Sequence, residues 1–112
     1  MGSKGKMFWT TKINATIPAS EEVESEAVNI SGLENFSILV NSISGDFKIG
    51  YKASLEEAGP FIETGSLVTA SVTDPSFLRF NPVIAPFVKI VATNNSGTTS
   101  GDISVVLIHR VA

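Results

Sequence analysis

The sequence predicts an all-β domain: an antiparallel β-sandwich, jelly-roll or immunoglobulin-like, of about eight short strands with an extended N-terminal arm. Three observations carry that prediction. Apolar residues alternate with period two along most of the chain. Turn residues recur every ~8–12 positions, the spacing of a sandwich or small barrel. No apolar i, i+3, i+4, i+7 pattern persists for the length of a helix.

The elements follow in order. Residues 1–11 form a flexible arm, and 12–112 the sandwich. Lys12 to Ile17 alternates, with Ile13, Ala15 and Ile17 on one face, and Pro18 ends the run. Glu21, Glu22, Glu24 and Glu26 form an acidic stretch that reads as a solvated loop or short turn. Ala27 to Ile30 is a short strand stopped by Ser31-Gly32. Asn35 to Ile43 alternates through Phe36, Ile38 and Val40, and Asp46 to Leu55 through Phe47, Ile49, Tyr51 and Ala53. Ser44-Gly45-Asp46 between them reads as a hairpin, because glycine supplies the positive φ of a tight turn. Glu56 to Gly65, with Gly59-Pro60, is a loop. Leu67 to Thr73 is a β-branched strand ended by Asp74-Pro75, and Phe77 to Phe80 is short and apolar. Pro82 and Pro86 mark an edge or a bend, since proline donates nothing to a ladder. Phe87 to Thr93 is a strand, Asn94 to Asp102 a loop, and Ile103 to Val111 the last strand. That strand is apolar on both faces, Ile103, Val105 and Leu107 on one and Val106, Ile108 and Val111 nearer the other. This suits a central strand, or one whose outer face meets another subunit.

With 112 residues the chain suits one domain. A hydrophobic fraction of 43% and a mean hydropathy of +0.25 exclude a disordered chain. Those values are high for a small monomer. Either apolar surface is buried against another chain, or Ala, Val and Ile fill both faces of central strands.

Charge and composition exclude several functions. The net charge is −3, and the one basic cluster is Lys4, Lys6 and Lys12. A nucleic-acid binder needs a wider basic face to neutralise several phosphates. No segment approaches the ~20 apolar residues of a membrane-spanning helix. There is no cysteine, so disulfides, zinc–thiolate sites and thiol nucleophiles are impossible. That fits a reducing cytoplasm as the place of synthesis.

The chemistry of catalysis is also missing from the pattern. His109 is the only histidine. A catalytic base needs a nucleophile and an orienting acid, and no G-x-S-x-G elbow accompanies it. Beside Arg110 it reads as a surface or interface residue. No phosphate-cradling glycine loop occurs. Asp46, Asp74 and Asp102 are separated in sequence, and calcium needs several oxygens that converge. The expectation is a binding protein, not an enzyme, with no cofactor and no metal.

Candidate binding residues are the aromatics outside the core pattern. Met7-Phe8-Trp9 is an apolar triplet near the start of the chain. It either packs back on its own domain or inserts into a neighbour as an interface anchor. Trp9 and Tyr51 are the only tryptophan and tyrosine, and so the candidate platforms for stacking a glycan. Tyr51 alternates with Phe47 and Ile49, which also places it in the core with its hydroxyl at the rim.

The cadence Asn29-Ile30-Ser31-Gly32-Leu33, Phe36-Ser37-Ile38-Leu39-Val40 and Phe47-Lys48-Ile49-Gly50-Tyr51-Lys52-Ala53-Ser54-Leu55 continues with Phe87 to Thr93 and Ile103 to Leu107. It resembles small β-sandwich capsid decoration (auxiliary head) proteins of tailed bacteriophages, over Ala27 to Val111. The likeness lies in strands and turns and carries no site residue with it. It implies a trimer bound to the major capsid protein on the outer surface of the virion, which it reinforces, with synthesis in the host cytoplasm. Some members of that group look like carbohydrate-binding modules, so a glycan-binding sandwich is the alternative.

Overall fold

Period-two alternation has one structural meaning: successive side chains leave opposite faces of a strand, so one set can be buried while the other is not. In the computed structural model, which describes residues 7–31, 33–64, 68–71, 77–80 and 85–111, the alternating runs are strands of two facing antiparallel sheets. The strands are β1 (Met7–Ile17), β2 (Glu22–Glu24), β3 (Val28–Asn29), β4 (Leu33–Ser44), β5 (Asp46–Ser54), β6 (Ile62–Glu63), β7 (Val68–Ser71), β8 (Phe77–Phe80), β9 (Phe87–Asn94) and β10 (Gly101–Val111). Among the described residues there is no helix. One sheet has the order β1-β10-β4-β8. The other runs β2-β9-β5-β6, with β3 continuing β2 along β9 and β7 continuing β6 along β5. With each interrupted pair taken as one strand, two sheets of equal strand number face each other. The chain crosses between them after β1, β3, β4, β7, β8 and β9. That connectivity is a jelly roll, and it decides against the immunoglobulin-like alternative.

The core is the set of inward positions. Ile13 and Ile17 of β1, Ile38 and Val40 of β4, and Ile103, Val105 and Leu107 of β10 meet Phe47 and Ile49 of β5 and Val88, Ile90 and Ala92 of β9. Phe47 is the largest of the fully buried side chains. Fully burying one such side chain contributes about 1.5–3 kcal/mol.

Several sequence expectations are corrected. Ser44-Gly45-Asp46 does not close a hairpin. β4 pairs with β10 and β8, β5 with β9, β6 and β7, and Gly45 (φ 106) carries the chain from one sheet to the facing one. A positive-φ glycine between two amphipathic strands serves either geometry, so the local signal cannot separate them. The return strand passes close by. A Cβ on Gly101 would lie 2.7 Å from the Ser44 carbonyl oxygen and 2.8 Å from the Phe47 ring, so only glycine fits there.

The flexible arm is corrected over residues 7–11. They pair with β10 from Met7 opposite Arg110 onward, so residues 7–11 belong to the sandwich. Residues 1–6 lie outside the described residues, as do Asp74-Pro75 and Pro82. The acidic stretch contains a true strand: Glu22, Val23 and Glu24 pair with Thr93, Ala92 and Val91. Ser25 then bridges the gap to β3. Its N–H donates to the Ile90 carbonyl (2.8 Å), and its hydroxyl accepts from the Ile90 N–H (2.9 Å), replacing the carbonyl that the ladder lacks there. The loop read over Glu56 to Gly65 includes the two-residue strand β6.

Two β-bulges decide which side chains face out. β1 slips between Thr11 and Ile13, and β4 slips where Ser42 opposes Ser104 and Val40 opposes Val105. Both lie against the same stretch of β10. A bulge shifts the alternation by one, so side chains beyond it change faces.

Candidate docking face

Ile13, Ala15 and Ile17 face the core, and unbroken alternation would turn Thr11 and Trp9 inward with them. The bulge at Lys12 reverses this. Thr11 falls opposite Val106 and Trp9 opposite Ile108, both on the outer face of the four-stranded sheet. Lys12 itself reaches across the open side of the sandwich, its Nζ 3.4 Å from Glu26 Oε1. On the far side of β10, Leu39 opposes Val106. Trp9, Thr11, Leu39, Val106 and Ile108 line a shallow groove of about 350 Å³. Trp9 is 73% exposed.

The outer face of the other sheet is built differently. Its outward positions include Glu22, Glu24, Lys48, Lys52, Glu63 and Lys89. Lys52 forms an ion pair with Glu24, and Lys89 lies 4.0 Å from the same carboxylate. The hydrogen bond that Lys52 donates to the Glu24 carboxylate raises the lysine's pKa, and the charges of Glu24, Glu22 and Glu63 add to the rise. One face is a lattice of solvated charge. The other presents an indole and aliphatic groups.

The remaining candidates have definite places. Phe8 is on the opposite face of β1 from Trp9 and stacks on His109, with ring centroids 5.5 Å apart and planes at 18°. His109 is half-buried, and its enclosed Nδ1 finds no hydrogen-bond partner among the described residues. Met7 pairs in register with Arg110, and its side chain lies outside the described residues. Tyr51 is only 8% exposed, and burial raises its hydroxyl pKa while a hydrogen bond with Thr64 opposes the rise. Its ring is therefore not a platform for a glycan, which corrects that half of the Trp9–Tyr51 expectation. Trp9 and Tyr51 also belong to different sheets.

Among the described residues no three acidic or histidine side chains gather as a metal site would require. Asp102 accepts a hydrogen bond from the Thr16 hydroxyl, the Asp46 carbonyl accepts from the Asn95 N–H, and Asp74 lies outside the described residues. Asn94 is a structural residue. It is 2% exposed, and its amide nitrogen donates to the carbonyls of Ile17 (2.9 Å) and Thr99 (3.0 Å) while its oxygen accepts from the Ser96 N–H (2.9 Å).

Sequence reasoning found Trp9 and the second apolar face of β10. It missed Thr11 and Leu39. Leu39 alternates against Ile38 and Val40, and only the neighbouring strand shows that its face is the outer one.

No known protein-family model matches the chain, and no curated protein is detectably similar to it in sequence. Among solved structures, the fold is similar to a crystal structure of PirA, with a TM-score of 0.58 at 14% identity, covering 88% of this chain and 92% of that one. At that identity the likeness concerns the fold alone.

Proposed function

We propose that this domain is an assembly protein that docks through the outer face of its four-stranded sheet, as a capsid decoration protein on the outside of a phage head. The observation that carries the reading is the contrast between the two outer faces, one laced with ion-paired charge and one holding an apolar groove beside Trp9, which is exposed at 73%. Exposed aromatic anchors beside aliphatic groups are characteristic of interface centres. The strand cadence supplies the choice of partner, the major capsid protein, and of a trimer as the assembled form. Jelly rolls are common among viral shell proteins, an argument by analogy.

The test is mass measurement in solution together with binding to expanded phage capsids. The expected result is a trimer at micromolar concentration that binds capsids, and loss of both in Trp9→Ala combined with Ile108→Asp. A strict monomer that ignores capsids would end the proposal.

A carbohydrate-binding module is the second reading, favoured by the exposure of Trp9 alone. It requires glycan-array binding that disappears in Trp9→Ala and survives in Tyr51→Phe.

A further inference from the structure

Leu55 is 81% exposed and Ile62 is 68% exposed. Large aliphatic groups left in water at neighbouring positions mark a contact surface. Both line a groove of about 600 Å³ where β5 ends, together with Ala53 and Pro60. That volume falls within the ~300–1,000 Å³ of mostly apolar ligand sites. The groove belongs to the charged sheet and shares no residue with the Trp9 face.

Its polar lining is one-signed. Glu56 and Glu63 contribute carboxylates, Glu57 follows directly in sequence, and among the described residues no lysine or arginine lines it. Lys52 opposes Glu63 in the ladder, but its ammonium goes to Glu24. Among the described residues the ion pairs are Lys12–Glu26, Lys52–Glu24 and Lys89–Glu24, and none of them uses Glu56 or Glu63. The groove also lies beside a sheet edge. β6 pairs with β5 on one side and, among the described residues, with no strand on the other. A free edge adds strands from extended peptides, which take main-chain hydrogen bonds from it and set alternate side chains in adjoining pockets.

We propose that this groove binds an extended peptide segment of a partner protein, in which an apolar residue stands directly next to lysine or arginine. Neighbouring residues leave opposite faces of an extended chain, as Ile62 and Glu63 do on β6, where they oppose Ala53 and Lys52. The apolar side chain covers Leu55 and Ile62 while the cation meets Glu56 and Glu63. Charge complementarity selects a basic partner over an acidic one, and the apolar floor selects it over a merely basic one.

The proposal is tested by amide chemical-shift titration of the full chain with three blocked hexapeptides. One has leucine directly next to lysine, one has glutamate for that lysine, and one has serine for that leucine. The leucine–lysine peptide binds roughly tenfold or more tighter than either counterpart, with shifts centred on Ala53 to Thr64, as complementary charge and burial together require. Glu56→Gln with Glu63→Gln removes the preference for lysine over glutamate. Leu55→Ser with Ile62→Ser removes binding, and because both side chains are exposed the fold is kept. Trp9→Ala binds like the parent. Equal affinity for the three peptides, no binding at millimolar concentration, or shifts centred on Glu22 to Glu24 would overturn the proposal. The last pattern is a general response to the net charge of −3.

Discussion

Two residues show how much the packing asks of single side chains. Gly101 stands where the Ser44 carbonyl and the Phe47 ring leave no room for a methyl group. Gly101→Ala therefore destabilises the fold by about 1–3 kcal/mol, the usual cost of forcing atoms into a filled site. Urea unfolding measures it, and an unchanged midpoint would mean that the return strand can move away. Asn94 ties the end of β1 to the loop after β9 through donors and acceptors that water cannot reach. Asn94→Ala leaves the carbonyls of Ile17 and Thr99 without their donor, at a cost of about 1–3 kcal/mol. Tyr51 gives a pH signature. Its folded pKa lies above the ordinary 10.0, so as pH rises the unfolded chain releases a proton that the folded one keeps. The stabilisation is complete below pH 10 and is lost as pH passes through the folded value. Lys52 acts in the same direction, because its pKa also lies above the ordinary 10.5. As the only tyrosine, Tyr51 can be followed by tyrosinate absorbance, which appears later in the folded protein than in denaturant. Tyr51→Phe flattens the alkaline loss of stability, and Glu24→Gln flattens the part due to Lys52.

At the scale of elements, the bulges matter more than the strands they interrupt. Deleting Lys12 removes the extra residue of β1 and leaves Thr11 opposite Val106 and Ile13 opposite Val105, so Trp9 stays on the outer face, whereas deleting Thr10 moves Trp9 opposite Leu107 and turns it inward. The single tryptophan reports this directly. Acrylamide quenching is unchanged without Lys12 and falls without Thr10. Equal quenching in the two variants would show that the register of β1 does not set the face. This also marks where the sequence stops being legible. Period two identified β1, β4, β5, β9 and β10 and most of the core, because burial on one face imposes the alternation. It did not identify β2, whose one apolar residue, Val23, lies between two outward glutamates. It did not identify β6, which is only Ile62 and Glu63. Bulges leave little local trace, since an extra residue looks like any other until the opposing strand is known. The docking face was therefore visible as isolated apolar residues, while its continuity across β1, β10 and β4 was not.

At the scale of the molecule, the mistaken hairpin is the instructive error. Local signals located the bend at Gly45 and gave both strands their inward sets. Which strands pair is a property of the whole sandwich, because each sheet assembles pieces distant in the chain. The high apolar fraction has two structural homes. β10 is a central strand with Ile103, Val105 and Leu107 buried between the sheets. It also presents Val106 and Ile108 to the outer groove. The resulting body is a slab, 50 × 33 × 19 Å, suited to lying on a larger surface with one broad face down.

β10 lies between β1 and β4, and those two strands do not pair with each other. On the ribosome this fixes an order of events. Until the last strand leaves the exit tunnel, β1 and β4 each hold an unpaired edge and the four-stranded sheet has no middle. The groove around Trp9 comes into being at the same moment, since its two sides meet only across Val106 and Ile108. Until β10 has emerged, a nascent chain carries no finished outer face on this sheet.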